Sequence, residues 1–299
     1  MGFAAEMKTI IVATDLHGQS EAALEYARKL AAGYGARIVL AHGLYPVDYA
    51  AVDSIPGRVL KGLTEQAKSA LDQLSGDLLR EGIPSNSEIR QGAVAQMLVD
   101  VAKQYGAGLI VMGTRGMQGA GPVIVGSIAE QLVRLSPCPV MAVAADWNAG
   151  EFRPTPGGPV LLAMERNEAA TAAADTAYSL AETFHRTLLV LHARGPAEAS
   201  AFLNPGAAKL EDFGIKPSGR FPVRFIVKDG SPADAIAEAI AQYRPSLLVA
   251  GVKRSSETPG LHGTAFQLLA RSRVPVVCVP PAPLAAEVSA EVLAAAHTN

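Results

Sequence analysis

Two short glycine motifs stand out as residues that could bind a ligand. Gly-Thr-Arg-Gly at 113–116 follows an apolar, strand-like run, and Gly-Ser at 126–127 opens an apolar, helix-like run. Glycine lacks a Cβ, so backbone N–H groups can approach an anion closely. The N-terminus of a following helix adds the positive end of its dipole. Together these features are suited to binding phosphate groups.

The elements that must position these motifs come from a unit that occurs twice. Strand-like runs at 9–14, 37–42, 108–113 and 139–143 match runs at 159–164, 187–192, 246–251 and 275–279. The offset between the copies is 150 residues at His42 and His192 and 138 residues at Gly113 and Gly251. The second copy therefore lacks about a dozen residues from its middle.

These runs are almost continuously apolar, which is typical of strands covered on both faces in a parallel sheet. Helical patterns at 20–32, 60–81 and 94–104 separate the strands, with Ser20 as N-cap of the first helix and a further strand at 87–91. We predict an α/β protein of two tandem doubly wound domains. Each is a five-stranded parallel sheet flanked by helices, with right-handed crossovers.

The domain boundary falls in a Gly- and Pro-rich segment, which gives a first domain at 1–148 and a second at 157–281. An Ala-rich tail at 282–299 either docks on the body or on a partner, or frays. The long connection from 44 to 62 is either a lid or irregular packing.

An open parallel sheet binds ligands beyond the carboxyl ends of its strands, where the winding direction reverses. If the first strand neighbours the fourth there, Thr14 and Asp15 face Gly113 across one crevice. Asp15 could then reach a ribose or a metal-phosphate group, and the loop from Gly113 could line the phosphates. Ala41, at the end of the second strand, is small enough to leave room for a flat base.

Each of these residues also has a structural explanation. Ser127 and Glu130 match a capping box, so Ser127 can serve only to cap its helix. Asp15 can hydrogen-bond its own turn, Gly126 can permit tight packing, and Arg115 can be a solvated cation. The joint spacing favours a ligand site, because packing alone does not require three glycines and a hydroxyl at these intervals.

The second copy is an internal control for this hypothesis. There Arg254 stands in place of Gly116, and Glu165 stands in place of Asp15. The capping-box pattern persists, beginning at Thr264. We therefore expect a phosphate site mainly in the first copy.

The whole chain resembles a tandem universal stress protein, with two copies of that domain fused. Its first copy matches the family's nucleotide-binding pattern G-x2-G-x9-G-[ST] through Gly113, Gly116, Gly126 and Ser127. The resemblance implies the strand order 3-2-1-4-5 of adenine nucleotide α-hydrolase-like folds. It also implies an adenine-nucleotide site built from Ala13, Thr14, Asp15, Ala41, Met112, Gly113, Arg115, Gly116, Gly126, Ser127 and Ile128.

In this resemblance the bound ligand is ATP, with or without Mg²⁺, and Ala41 lies near the adenine. The domains are expected to associate through their last strands, at 140–144 and 276–279. That association implies an internal pseudo-dimer of the two domains, and it leaves open a homodimer through the same strands. A signalling partner is also implied, of unknown identity.

Composition narrows the function classes. A formal net charge of −2, from 26 basic and 28 acidic residues without a dense basic stripe, argues against nucleic acid as a partner. No apolar run approaches the ~20 residues of a membrane span, and no signal-peptide pattern occurs, so we expect a cytoplasmic protein without a membrane partner. Cys138 and Cys278 lack motif spacing and are expected to be buried apolar residues.

The favoured hypothesis is a binding protein of the stress response, whose first domain holds ATP and whose conformation or assembly reports occupancy. No catalytic residue or resident metal is expected, since Walker A, H-E-x-x-H and G-x-S-x-G patterns are missing from the sequence. One alternative is a slow nucleotide hydrolase in which Asp15 orients Mg²⁺ and Arg115 stabilises transferred charge. Another is an interaction scaffold that has lost nucleotide binding.

Overall fold

The computed structural model describes residues 2–16, 18–44, 57–114, 127–144, 157–165, 168–194, 219–253, 268–269, 272 and 274–281. The strands are β1 (Thr9–Ala13), β2 (Arg37–Leu44), β3 (Ser85–Gln91), β4 (Leu109–Gly113), β5 (Val140–Val143), β6 (Val160–Met164), β7 (Leu188–Arg194), β8 (Val223–Asp229), β9 (Leu247–Gly251) and β10 (Val276–Val279). The helices are α1 (Phe3–Glu6), α2 (Gly18–Tyr34), α3 (Gly57–Arg80), α4 (Val94–Tyr105), α5 (Ser127–Leu135), α6 (Ala170–Thr183) and α7 (Pro232–Tyr243).

All ten strands form one sheet in the order β3-β2-β1-β4-β5-β10-β9-β6-β7-β8. The first five follow the predicted order 3-2-1-4-5 and are parallel to one another. The last five repeat that order and are also parallel among themselves. The α/β fold is therefore confirmed, with one addition: the two predicted five-stranded sheets are joined edge to edge.

The junction between the halves is the antiparallel pair of β5 and β10, in which Val277 lies opposite Met141. These are the two final strands through which association was expected, and they pair within a single chain. Each of them is also hydrogen-bonded to a strand of its own half. A homodimer through the same strands would have to break this internal pairing. Because the junction is antiparallel, the strand carboxyl ends of the two halves point to opposite edges of the sheet.

Helices cover both faces of the sheet, which explains the nearly continuous apolar strands. In β1, Ile10 and Val12 point into the core beneath α2, α3 and α6, whereas Ile11 points into the core beneath α4, α5 and α7. The crossover helices after β1 and β2 thus lie on one face, and those before and after β4 lie on the other. The winding direction reverses between β1 and β4.

Some predicted boundaries were wrong. Helix α2 begins at Gly18, so Ser20 lies inside the helix and is not its N-cap. Helix α3 begins at Gly57, which shortens the connection predicted at 44–62. Residues 45–56 of that connection, residues 149–156 between the two predicted domains and the tail at 282–299 lie outside the described residues.

Two further expectations can be compared with the described residues. Cys138 and Cys278 are buried and form no disulfide, as predicted, and burial raises the pKa of each thiol to about 12. Within the described part of the chain, no helix combines the length and the apolar character needed to span a bilayer.

The halves also pack against each other through α2 and α6, on one face of the sheet. The Tyr34 ring makes edge contacts with Phe3 and Phe184, and its hydroxyl lies 3.0 Å from Ser179 Oγ. Gly33 permits this approach, because a Cβ there would lie 2.8 Å from the Phe184 ring. Further along the same contact, the two halves line a half-open cavity.

Candidate functional site

The switch point of the first half is a crevice between the carboxyl ends of β1 and β4. The parallel register sets Val12 beside Val111, so Thr14 and Asp15 leave the sheet next to Gly113. This is the neighbourhood on which the predicted site depends. Asp15 is half-buried there, and Gly113 is paired with Val143 of β5.

A hydrogen-bond network built on Thr14 shapes the turn that carries Asp15. Thr14 is buried; its Oγ1 accepts from the Leu16 N–H at 3.0 Å and lies 3.0 Å from Ser20 Oγ. Its N–H donates to the Ala41 carbonyl at 3.0 Å, and its carbonyl accepts from His42 Nδ1 at 2.9 Å. Ser20 and His42 were not predicted as part of the site, because their contacts with Thr14 join residues of different elements.

Leu16, the residue after Asp15, has a φ of 62°. A residue with a Cβ in this left-handed region is strained by roughly 1–2 kcal/mol. Such conformations persist where surrounding contacts hold them, and they cluster at ligand-binding turns. The Thr14 hydroxyl is the contact that holds this one, because it accepts the Leu16 N–H.

The fourth strand supplies the opposite wall. After Gly113 the chain continues its pairing with β5, since the Thr114 N–H donates to the Val143 carbonyl at 3.0 Å. Met112 and Thr114 are buried, and Met112 belongs to the core beneath α4 and α5. Ala13, on the first strand, packs partly against the same core.

Ala41 lies deeper than its predicted role requires. Its side chain is 1% exposed in the core shared with α4, so it does not line the open part of the crevice. Strand β2 runs two residues further than predicted, and Gly43 follows on the same face, half-buried. A Cβ at Gly43 would lie 2.9 Å from Val94 Cγ2, in the first turn of α4. Gly43 is thus the small residue at this wall that sequence reasoning missed.

The remaining predicted residues belong to the glycine loop and the helix after it. Arg115, Gly116 and Gly126 lie outside the described residues. Ser127 is the first residue of α5, and Ile128 packs partly against the core beneath that helix. The structure therefore brings together the strand-end residues of the predicted site and leaves the loop's contribution as a prediction.

The second half has the same crevice between β6 and β9 with different side chains. Met164 stands where the first half has Thr14, and Leu191 stands where it has Ala41. Glu165 forms an ion pair with Lys253, the residue that follows β9 by two positions. A carboxylate and an ammonium of the chain itself thus meet across this crevice.

Comparison with known proteins gives a consistent picture. The model of the universal stress protein family matches residues 6–144 and 158–280, one segment in each half. A universal stress protein of Mycolicibacterium smegmatis is 32% identical over 193 residues, which cover 61% of this chain and 63% of that protein. A universal stress protein of Thermus aquaticus is 31% identical over 137 residues, covering 46% of this chain and 98% of that protein.

The fold is also shared with solved structures. A crystal structure of a universal stress protein from Archaeoglobus fulgidus superimposes with a TM-score of 0.71 at 18% identity, covering 92% of this chain and 98% of that one. The tandem arrangement is therefore common to both molecules over almost their whole length.

Proposed function

The chain belongs to the universal stress protein family, and from this premise we propose that it is a cytoplasmic, ATP-binding regulator or sensor of the stress response. One adenine nucleotide occupies the crevice between β1 and β4 of the first domain. The observation that carries the proposal is the turn at Thr14, Asp15 and Leu16, in which Leu16 is held at a positive φ and which lies beside Gly113, the first residue of the glycine motif.

Each wall of the crevice has a part in this proposal. Asp15 accepts hydrogen bonds from the ribose hydroxyls, and the base lies toward Gly43, whose missing Cβ lets Val94 pack against this strand. The loop from Gly113 to Gly126 surrounds the phosphates, with Arg115 as a countercharge. The N-terminus of α5 adds backbone N–H groups toward the terminal phosphate. Mg²⁺, if bound with the nucleotide, would neutralise part of the phosphate charge, and Asp15 is the carboxylate of this crevice that would hold it.

The second domain does not hold ATP in this proposal. The Glu165–Lys253 ion pair occupies the edge of its crevice, and Arg254 replaces the glycine at the centre of the motif. The expected stoichiometry is one nucleotide per chain. The second domain instead completes the ten-stranded sheet and buries the final strand of the first.

The test begins with freshly purified full-length protein, which is denatured so that any released nucleotide can be identified by chromatography. Nucleotide-depleted protein is then titrated with ATP and with GTP by calorimetry, with and without Mg²⁺. We expect about one ATP per chain and no saturable heat with GTP. The variant Gly116→Val should lose ATP binding, because its side chain fills the space of the motif. Absence of released nucleotide, of binding heat and of any melting shift with ATP would contradict the proposal.

The same preparations separate a binding protein from a hydrolase. Retention of intact ATP over hours supports the binding role. Steady phosphate release above the level of Gly116→Val would identify a slow hydrolase instead.

A further inference from the structure

A cavity of about 150 Å³ lies between the two halves, away from both crevices. Tyr26 and Lys29 of α2 line it from the first half. Val160 and Leu247, the first residues of β6 and β9, line it from the second half. These are the amino ends of the strands, whereas the second crevice is at their carboxyl ends. The cavity is also distant from the first crevice, because Lys29 lies nine residues after Ser20, roughly 13 Å along α2.

The polar part of the lining is cationic. Arg186, in the turn after α6, lines the cavity together with Lys29, which pairs with Glu25 at 2.8 Å. Among the residues that the structure describes, no carboxylate lies within 4.0 Å of the Arg186 guanidinium. The lining thus includes two cationic side chains, Arg186 and Lys29, and Lys29 is paired with Glu25.

Neighbouring backbone fixes the position of the Arg186 head group. Gly157 has a φ of 92°, and a Cβ there would lie 2.9 Å from Arg186 Nη1, so the glycine leaves space for the guanidinium. On the opposite wall, the Tyr26 hydroxyl donates to the Ser246 carbonyl at 2.9 Å. Burial raises the pKa of Tyr26, and the Arg186 charge acts in the opposite direction, so the two groups are within electrostatic reach.

The rest of the wall is apolar, formed by Phe184, Val160 and Leu247. A guanidinium presents N–H donors in a planar fork that matches a carboxylate with two parallel hydrogen bonds. The volume equals that of about five water molecules at roughly 30 Å³ each. That is enough for a carboxylate group with a short hydrocarbon chain.

We propose that this interdomain cavity binds a small organic carboxylate. The carboxylate group sits on the Arg186 guanidinium near Lys29, and the short apolar chain lies against Phe184. Such a ligand contacts both halves at once, so it stabilises their packing and raises the melting temperature as its concentration rises. The site is separate from the nucleotide crevice and does not depend on it.

The test is a titration of ¹⁵N-labelled full-length protein with butyrate at constant pH and ionic strength, followed by the amide signals of Tyr26, Arg186 and Ser246. Sodium chloride and inorganic phosphate are titrated in parallel. We expect saturable shifts with butyrate and linear, small shifts with chloride. The variant Arg186→Gln should weaken butyrate binding at least tenfold. Arg224→Gln, an exposed position on the edge strand β8, is the matched control and should leave binding unchanged.

Saturation by phosphate without saturation by butyrate would overturn the assignment of a carboxylate ligand. Equal butyrate affinity in Arg186→Gln and in the parent chain would overturn the site itself. Should Arg186→Gln fail to give a folded spectrum, Lys29→Gln replaces it, since Lys29 is on the surface of α2. A several-fold loss of affinity is expected there, and an unchanged affinity counts against the proposal. Adding ATP to the same samples reports separately on the crevice, through the amide of Asp15.

Discussion

In the first half, the Thr14 hydroxyl anchors the turn after β1, whereas the second half has Met164 at the matching position. A thioether sulfur is a much weaker acceptor than the hydroxyl that holds the Leu16 N–H. In the second half the next residue, Glu165, is paired with Lys253. The turn that carries Asp15 is therefore held by a side-chain hydroxyl, whereas the carboxylate of the second crevice is paired with a lysine of the same chain.

The framework beneath the two crevices is nearly identical. The residue after each fourth strand continues the ladder, with Thr114 N–H donating to Val143 and Val252 N–H donating to Val279. Before each final strand a serine hydroxyl closes the same small turn, Ser136 in the first half and Ser272 in the second. The duplicated features are those that pair backbone and bury apolar surface. The side chains at the strand ends differ, with Thr14 and Asp15 in the first half and Met164 and Glu165 in the second.

We expect the largest effect for the reactivity of the two cysteines, one in each half, because both are buried in the framework that the halves share. Burial raises both thiol pKa values to about 12, so both groups are protonated at pH 8. We expect the reaction of each with Ellman's reagent to be slower than that of an exposed thiol by on the order of 10³-fold. Both should react fully in guanidinium chloride. Rapid labelling of one cysteine in the folded protein would show that its half is more open than its partner.

The next largest effect tests the difference between the crevices. A Cβ at position 43 would lie 2.9 Å from Val94 Cγ2, so Gly43→Val displaces Val94 and the crevice wall beside it. We expect ATP affinity to fall about 10- to 100-fold, which corresponds to ~1–3 kcal/mol. The matched control is Ala193→Val, at the same position of the second half. Calorimetry with ATP measures both variants. Equal losses in the two would mean that the crevices are not functionally distinct.

A smaller effect is expected for Thr14→Val, which keeps the shape of the side chain and removes its hydroxyl. The Leu16 N–H loses its acceptor, and the contact with Ser20 is lost. We expect a loss of about 1–2 kcal/mol in the free energy of unfolding, measured by urea denaturation, together with weaker ATP binding. Thr14→Ser retains the hydroxyl and should recover most of both. If Thr14→Val and Met164→Val lower the free energy of unfolding by the same small amount, the turn is not held by the Thr14 hydroxyl.

Sequence patterns predicted the positions of all strands except β8, and the resemblance to the universal stress protein family implied the order 3-2-1-4-5. Continuous apolar runs such as that of β1 require helices on both faces, and this requirement leaves few topologies. Side-chain contacts across the turn were not predictable in the same way. Ser20 has the residue type of an N-cap, yet its hydroxyl lies beside Thr14 because α2 begins two residues earlier.

The residue that lines the β2 wall of the crevice was not predictable from the sequence either. Both Ala41 and Gly43 are small, and only the length of β2 and the position of Val94 decide which of them lies at the open end. Strand ends depend on pairing partners that are distant in the sequence. Gly43 is paired with Arg90, 47 residues further along the chain.

The smallest effect is expected for the ion pair of the second crevice. Lys253→Met removes a partner of Glu165, but the two side chains are 59% and 41% exposed, so water screens the pair. We expect the free energy of unfolding to change by less than about 1 kcal/mol, and the change to shrink in 1 M salt. The ATP stoichiometry should stay at about one, because Met164 and Arg254 still differ from the first half. A stoichiometry near two would instead identify Lys253 as the residue that prevents nucleotide binding. One charged residue would then account for the difference in ATP binding between the two crevices.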